Sequence, residues 1–225
     1  EPLSTHADFY NLNYVYGVNA YNKGAIFLHQ LGYIIGSDIL AVGMKKYFEK
    51  WKFKHPKPID FKKIMELESG LELDWYFEQY TKTINNIDYS IVNVESIGTK
   101  SKILIKKEGR MPMPIDISIL TDNSDLYWYN IPLRIMRGAK QNDMIGDNFK
   151  VISDWPWVYN YYEFEIDIPF DSIKKIQIAS LSPTSNAIAE RSVGIVKKLL
   201  KKTLTTFDTY NWNTILPLVI KQFNS

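Results

Sequence analysis

The chain contains no cysteine, which excludes disulfides, thiolate catalysis and cysteine-ligated zinc. That absence does not locate the protein, because a cysteine-free chain is tolerated in either redox compartment. Histidine is scarce: His6, His29 and His55 are the only three, and no two are four residues apart. No helix can therefore present the paired imidazoles of an HExxH zinc site. The sequence also lacks any run of about 18 apolar residues, so no membrane-spanning helix is expected. The opening "EPLSTHADFY" lacks the basic-then-apolar layout of a signal peptide. A first residue of Glu1 rather than Met leads to the expectation that the chain begins inside a longer protein. There is no internal repeat and no low-complexity tract.

What is present is ordinary for a folded protein. Of 225 residues, 45% are hydrophobic and 23% charged, enough for one large or two small domains with cores. The net charge of +2 hides an asymmetry. Residues 181–225 hold six basic residues (Arg191, Lys197, Lys198, Lys201, Lys202 and Lys221) against two acidic (Glu190 and Asp208), a balance of +4 that leaves −2 for the rest. The two parts are expected to face different electrostatic partners or to come from different origins.

Periodicity divides the chain into three blocks: helical to about residue 84, strands over 85–180 and a helical tail over 181–225. In the first, "VNAYNKGAIFLHQLGYIIG" reads as a buried helix, apolar almost all round, whose first turn carries Tyr21, Asn22 and Lys23 and which stops at Gly36. Ser37 is expected to cap "SDILAVGMKKYFEKW", with Ile39, Leu40, Met44, Tyr47 and Phe48 recurring at helical spacing. Pro56 and Pro58 break the chain, Asp60 is expected to cap "FKKIMELES", Gly70 ends it, and "LDWYFEQYTK" gives a short further helix. Trp51, Phe53, Trp75, Tyr76 and Phe77 read as core rather than as a cofactor pocket. His29 reads as a satisfied histidine on a packed helix and His55 as a turn residue before Pro56.

In the second block "PIDISIL" alternates Ile115, Ile117 and Ile119 with Asp116 and Ser118, and "YEFEIDI" alternates Tyr162, Phe164, Ile166 and Ile168 with acids. This is the pattern of half-exposed antiparallel strands, and "TDNSD" and "RGAKQND" supply turns between them. A β-sandwich follows, with Pro112, Pro114, Pro132, Pro156 and Pro169 at strand edges or starts. In the third block Val193, Val196, Leu199, Leu200 and Leu204 form one stripe of an amphipathic helix with lysines on its other face. The fold class expected is α+β with this helical tail.

Three stretches carry a resemblance. "YNKGAIFLHQLGYIIG", "YFEKWKFKHPKPIDFKKIMELESGLELDWYFEQY" and "IPLRIMRGAK" resemble the segment downstream of the zinc site in gluzincin metallo-aminopeptidases, relatives of membrane alanyl aminopeptidase and leukotriene-A4 hydrolase, closest to a bacterial branch. The resemblance covers roughly residues 1–178. It implies the helical C-terminal part of a thermolysin-like catalytic domain (1–84) followed by an antiparallel β-sandwich (85–180). In that family zinc activates water, a motif glutamate is the general base, and a tyrosine stabilises the tetrahedral oxyanion. Only the tyrosine carries over, to Tyr21. On spacing alone Tyr21 reads as a core-edge tyrosine with its hydroxyl in water; the surrounding signature favours the oxyanion role.

A phenol suits that role, being neutral near pH 7 and able to donate a hydrogen bond to a developing oxyanion, worth on the order of 3 kcal/mol of transition-state stabilisation. The zinc ligands and general base of the intact family are not in the chain and are expected to lie before Glu1. The chain alone is then expected not to hydrolyse peptides. Apolar faces that a complete catalytic domain covers are expected to be exposed, leading to aggregation or a partner.

"SPTSNAIAERSVGIVKKLLKK" with "WNTILPLVIKQFNS" resembles the end of a retroelement integrase catalytic core, where Pro-x-x-Asn-x-x-x-Glu-Arg carries the third carboxylate of a Mg²⁺ site. By that resemblance the acid is Glu190, while Ser182 and Ala187 depart from the usual histidine and glycine. Carboxylates suit hard Mg²⁺. The alternative reading of Glu190 is a solvated first-turn acid favoured by the helix dipole. Asp154 precedes Glu190 at a spacing common in integrases, but its surroundings, "SDWPWVYNYYEF", fit the sandwich. Arg191, Lys197, Lys198, Lys201 and Lys202 are the candidate nucleic-acid contacts of the second functional reading, a non-enzymatic binding module whose basic tail touches nucleic acid or a partner. An active integrase ranks last, for want of two credible aspartates.

Overall fold

The computed structural model describes residues 1–140 and 148–179. A helical layer comes first: α1 (Asn13–Gly17), a π turn (Val18–Lys23), α2 (Gly24–Ile35), α3 (Ser37–Trp51), α4 (Pro58–Ser69) and α5 (Asp74–Lys82). Among the described residues seven strands follow: β1 (Tyr89–Ile97), β2 (Lys100–Lys107), β3 (Ile115–Thr121), β4 (Leu126–Ile131), β5 (Phe149–Val151), β6 (Tyr161–Ile166) and β7 (Ile173–Ala179). They form two sheets, ordered β1-β2-β6 and β5-β4-β3-β7. The expected order of helices then strands holds, as does the α+β class. One pairing departs from the antiparallel expectation: the three-residue β5 runs parallel to β4, with Trp128 opposite Phe149.

Helix ends follow local chemistry. Gly36 at φ 96° turns α2 into α3, and Gly70 at φ 69° closes α4 in the left-handed conformation that glycine adopts without a Cβ clash. Two expected caps are corrected. Ser37 is the first helical residue of α3, behind an N-cap at Gly36, and makes no capping bond. The N-cap of α4 is Lys57; Pro58 takes the first helical position, and Asp60 lies a turn inside, accepting the Lys57 backbone N–H at 2.8 Å.

Phe27 of α2 centres the helical core, stacked on Tyr76 at 5.2 Å and edge-on to Phe77 and Tyr80 of α5. Tyr76 donates its hydroxyl to the Phe27 carbonyl at 2.7 Å. Only one face of α2 is buried: Leu28 and His29 are exposed, which corrects the all-round burial expected of this helix. α3 and α4 pack as a hairpin. Gly43 lies so close to Met65 that a Cβ there would fall 2.7 Å from the sulfur, and Lys46 reaches Glu68 at 2.7 Å. Ile39, Leu40 and Tyr47 are half-buried, whereas Met44 and Phe48, expected on the packed stripe, are exposed. Trp75, Tyr76 and Phe77 are core as expected and Trp51 is half-buried, but Phe53 is fully exposed.

The sandwich core is filled by Ile103 and Ile105 of β2, Ile115, Ile117 and Ile119 of β3, Ile131, Trp155, Phe164 and Ile166. In β6 the expected alternation holds. β3 departs from it, because Asp116 and Ser118 are buried as well. This strand is central in its sheet, and its second face is covered in part by the helical layer: Tyr33 of α2 donates to the Pro114 carbonyl at 3.3 Å. Further along the junction the Glu72 N–H bonds the Met136 carbonyl at 3.0 Å.

Candidate functional site

α1, the π turn and α2 run as one continuous helix, so Tyr21 lies in its interior and not in a first turn. The residues at both joints, Gly17 and Gly24, hold helical dihedrals, and the Gly24 N–H bonds the Tyr21 carbonyl. A π turn inside an α-helix is rare and often accompanies a functional position.

The turn is fastened to the first residues of the chain. Asn19, buried, donates its amide to the Pro2 carbonyl at 3.0 Å and also bonds the Tyr10 hydroxyl. Lys23 Nζ donates to the Glu1 carbonyl at 2.6 Å and lies 5.9 Å from the centre of the Tyr80 ring. Burial lowers the Lys23 pKa, and the Glu1 charge partly opposes this. On the far side of Lys23, burial pushes the Tyr80 phenol up to about 12. The start of the chain, a turn at Leu3 and Ser4, is tied to α5 by the Leu3 N–H on the Tyr80 carbonyl at 2.8 Å.

Tyr21 itself is 72% exposed, and its hydroxyl makes no hydrogen bond among the described residues. Its sequence neighbours Phe9, Leu12, Tyr14, Tyr16 and Val18 are exposed too. The arrangement offers an uncommitted phenolic donor on a fixed backbone within an apolar, aromatic surface, chemistry that suits a carbonyl oxygen acquiring negative charge.

The described residues do not fit a catalytic zinc centre. His6 accepts from the Asp8 N–H at 3.3 Å at the surface, and His29 and His55 are exposed on separate elements. Among the described residues one group of three potential donors converges: Glu66, Glu72 and Asp74. It contains no imidazole and already holds a cation, since the buried Lys62 amine pairs with Asp74 and lies 3.7 Å from Glu66. Glu66 also accepts the Leu73 N–H at 3.0 Å. This is a helix-joining ion cluster in which Lys62 engages two of the three carboxylates, Glu66 and Asp74.

Two features had no forecast in the sequence. The first is a buried polar cluster: Asp116 accepts from Asn130 at 2.7 Å and from Lys140 Nζ at 2.6 Å, and Lys140 also lies 4.2 Å from the centre of the Tyr33 ring. Burial, then the Asp116 charge, pushes the Tyr33 phenol well above the ordinary range. The second is an open cleft of about 430 Å³ lined by Glu72, Arg134, Arg137, Trp157 and Tyr159. Asp154 pairs with Arg134, one of the lining residues, at 3.4 Å. Glu190, Arg191, Lys197, Lys198, Lys201 and Lys202, with the stretch expected to form the amphipathic tail helix, lie outside the described residues.

Comparison with known proteins bears on the helical layer. No curated protein matches the chain significantly. A solved structure, aminopeptidase A of Legionella pneumophila in complex with aspartic acid, aligns at 16% identity and a TM-score of 0.43 over 69% of this chain; the chain spans only 16% of that structure's length. Residues 2–80, which hold the π turn and Tyr21, match the model of the Peptidase family M1 domain, the aminopeptidase family that this part of the chain resembles.

Proposed function

We propose that the helical layer and sandwich are the part of a zinc-dependent aminopeptidase that supplies the oxyanion donor, and that the 225-residue chain is inactive by itself. The observation carrying this reading is the match of residues 2–80 to the peptidase family, with Tyr21 exposed on a π turn inside it. The Tyr21 O–H donates to the carbonyl oxygen of the scissile peptide as that oxygen becomes negative. It is free to do so because no internal acceptor holds it. Asn19 and Lys23 fix the turn, so the donor is positioned before substrate arrives. In the intact family the attacking water is activated by zinc, and no described residue of this chain supplies that metal's ligands.

The expected result for the chain with added zinc and a chromogenic aminoacyl substrate is no release of product. Zinc-dependent turnover would overturn the inactivity. Sequencing the native transcript upstream of Glu1 tests the rest. If an in-frame HExxH is found, Tyr21→Phe in that longer protein lowers kcat about 100-fold with KM kept, as loss of a donor used only in the transition state requires. An unchanged kcat removes Tyr21 from the mechanism.

The charge asymmetry favours a second reading, a binding module whose residues 181–225 contact nucleic acid. DNA binding that weakens with salt and vanishes on deleting 181–225 supports it, and no binding at low salt removes it.

A further inference from the structure

The tip of the α3–α4 hairpin combines three properties that no reading above uses. Between Lys45 and Lys57 the chain carries six lysines against one glutamate. Of these, Lys46 is paired with Glu68, while Lys45, Lys50, Lys52, Lys54 and Lys57 make no ion pair among the described residues. Phe53 stands fully exposed between Lys52 and Lys54, and Phe48 (66% exposed) and Met44 are exposed along the adjoining face of α3. Helical spacing places Lys45 and Lys52 on either side of Phe48.

The tip is also fixed. The Lys52 N–H bonds the Phe48 carbonyl at 2.8 Å, the Lys54 N–H bonds the Trp51 carbonyl at 2.9 Å, and Lys54 Nζ returns to the Lys50 carbonyl at 2.9 Å. Within this turn Phe53 has φ 61°, a left-handed conformation that a bulky side chain rarely adopts. The backbone thus holds an aromatic ring out into water against both its hydrophobicity and its dihedral preference. Strain of this kind persists where the surrounding structure and a function retain it.

We propose that this tip is a docking surface for a membrane leaflet containing anionic lipid. Phe53 enters the boundary between headgroups and acyl chains, Phe48 and Met44 rest against it, and Lys45, Lys50, Lys52 and Lys54 meet the lipid phosphates and carboxylates. Protruding apolar side chains ringed by lysine are the arrangement that binds such an interface by combined burial and charge attraction. A nucleic-acid strand shares the charge requirement. It has no use for the methionine, whereas an acyl interface accepts Met44 and both phenylalanines alike.

The test is sedimentation of the full chain with vesicles of phosphatidylcholine alone, or of equal parts phosphatidylcholine and phosphatidylserine. Wild-type chain is expected to sediment with the anionic vesicles only, and to be released by high salt. Phe53→Gly is expected to weaken partition by about tenfold while leaving the melting temperature unchanged or raised, since glycine accepts the left-handed dihedral. The double substitution Lys52→Glu with Lys54→Glu is expected to abolish binding. No sedimentation of the wild type overturns the proposal. So does equal sedimentation of both variants, which assigns the binding elsewhere in the chain. Binding of single-stranded RNA that needs the same residues, with no binding to vesicles, overturns the lipid assignment.

Discussion

Asp116 and Lys140 are a buried pair, with side chains 6% and 15% exposed, and each is held by more than the other. Asn130 donates to the second oxygen of the carboxylate, and the Tyr33 ring faces the ammonium. Removing one partner of such a pair leaves an uncompensated charge in the interior, which costs more than the pair itself contributes. Lys140→Met is therefore expected to destabilise the protein by about 3 kcal/mol, read from urea denaturation. Tyr21→Phe, by contrast, removes a hydroxyl without an internal partner at a surface position and is expected to change stability by less than about 0.5 kcal/mol. That contrast separates a residue kept for the fold from one available for chemistry.

At the level of elements, the turn between β2 and β3 rests on Gly109. A Cβ there would stand 2.3 Å from the Asn86 carbonyl oxygen and 2.6 Å from the Asp88 nitrogen, both backbone atoms that cannot swing aside. Gly109→Ala is expected to cost about 2 kcal/mol or more, visible as a lowered melting temperature. Much of the element order was readable because its punctuation is chemical: Gly36 and Gly70 end helices through positive φ, and Phe164 and Ile166 alternate with exposed acids in β6. β3 misled because alternation reports a polar residue, not what covers it, and Asp116 finds a lysine that comes from a distant turn. Phe53 misled because a phenylalanine held out by its own backbone has the same composition as one that packs. Asp60 misled by one turn, since a carboxylate at the third helical position closes the same box that a capping carboxylate opens. The resemblance reached Tyr21, but nothing in the spacing of "VNAYNK" signals an extra residue in the turn.

For the described body as a whole, six phenols lie in surroundings that favour their neutral form: Tyr33, Tyr76, Tyr80, Tyr89, Tyr129 and Tyr162 are all raised, chiefly by burial. A folded-state pKa above the unfolded value makes a contribution to stability that is complete below the ordinary value of 10.0. It is lost as pH rises toward about 12, where Tyr80 and Tyr129 ionise. Alkaline unfolding is thus expected between about pH 10 and 12, with a cooperative burst of phenolate absorbance coincident with loss of circular dichroism. Gradual ionisation with the fold retained would contradict the burial of these rings. The π turn has a consequence on the same scale. By holding one residue more than a regular turn, it sets the rotational phase between everything before Val18 and the body that follows. Rewinding Val18–Lys23 as regular α-helix with all six residues kept would swing α1 by about 100° about its axis relative to α2. Asn19 and Lys23 would then no longer meet Pro2 and Glu1, and the segment that leads into the helix would come away from α5. The turn therefore works as a key: its π winding, more than the identity of most residues in it, decides whether the start of the chain can seat.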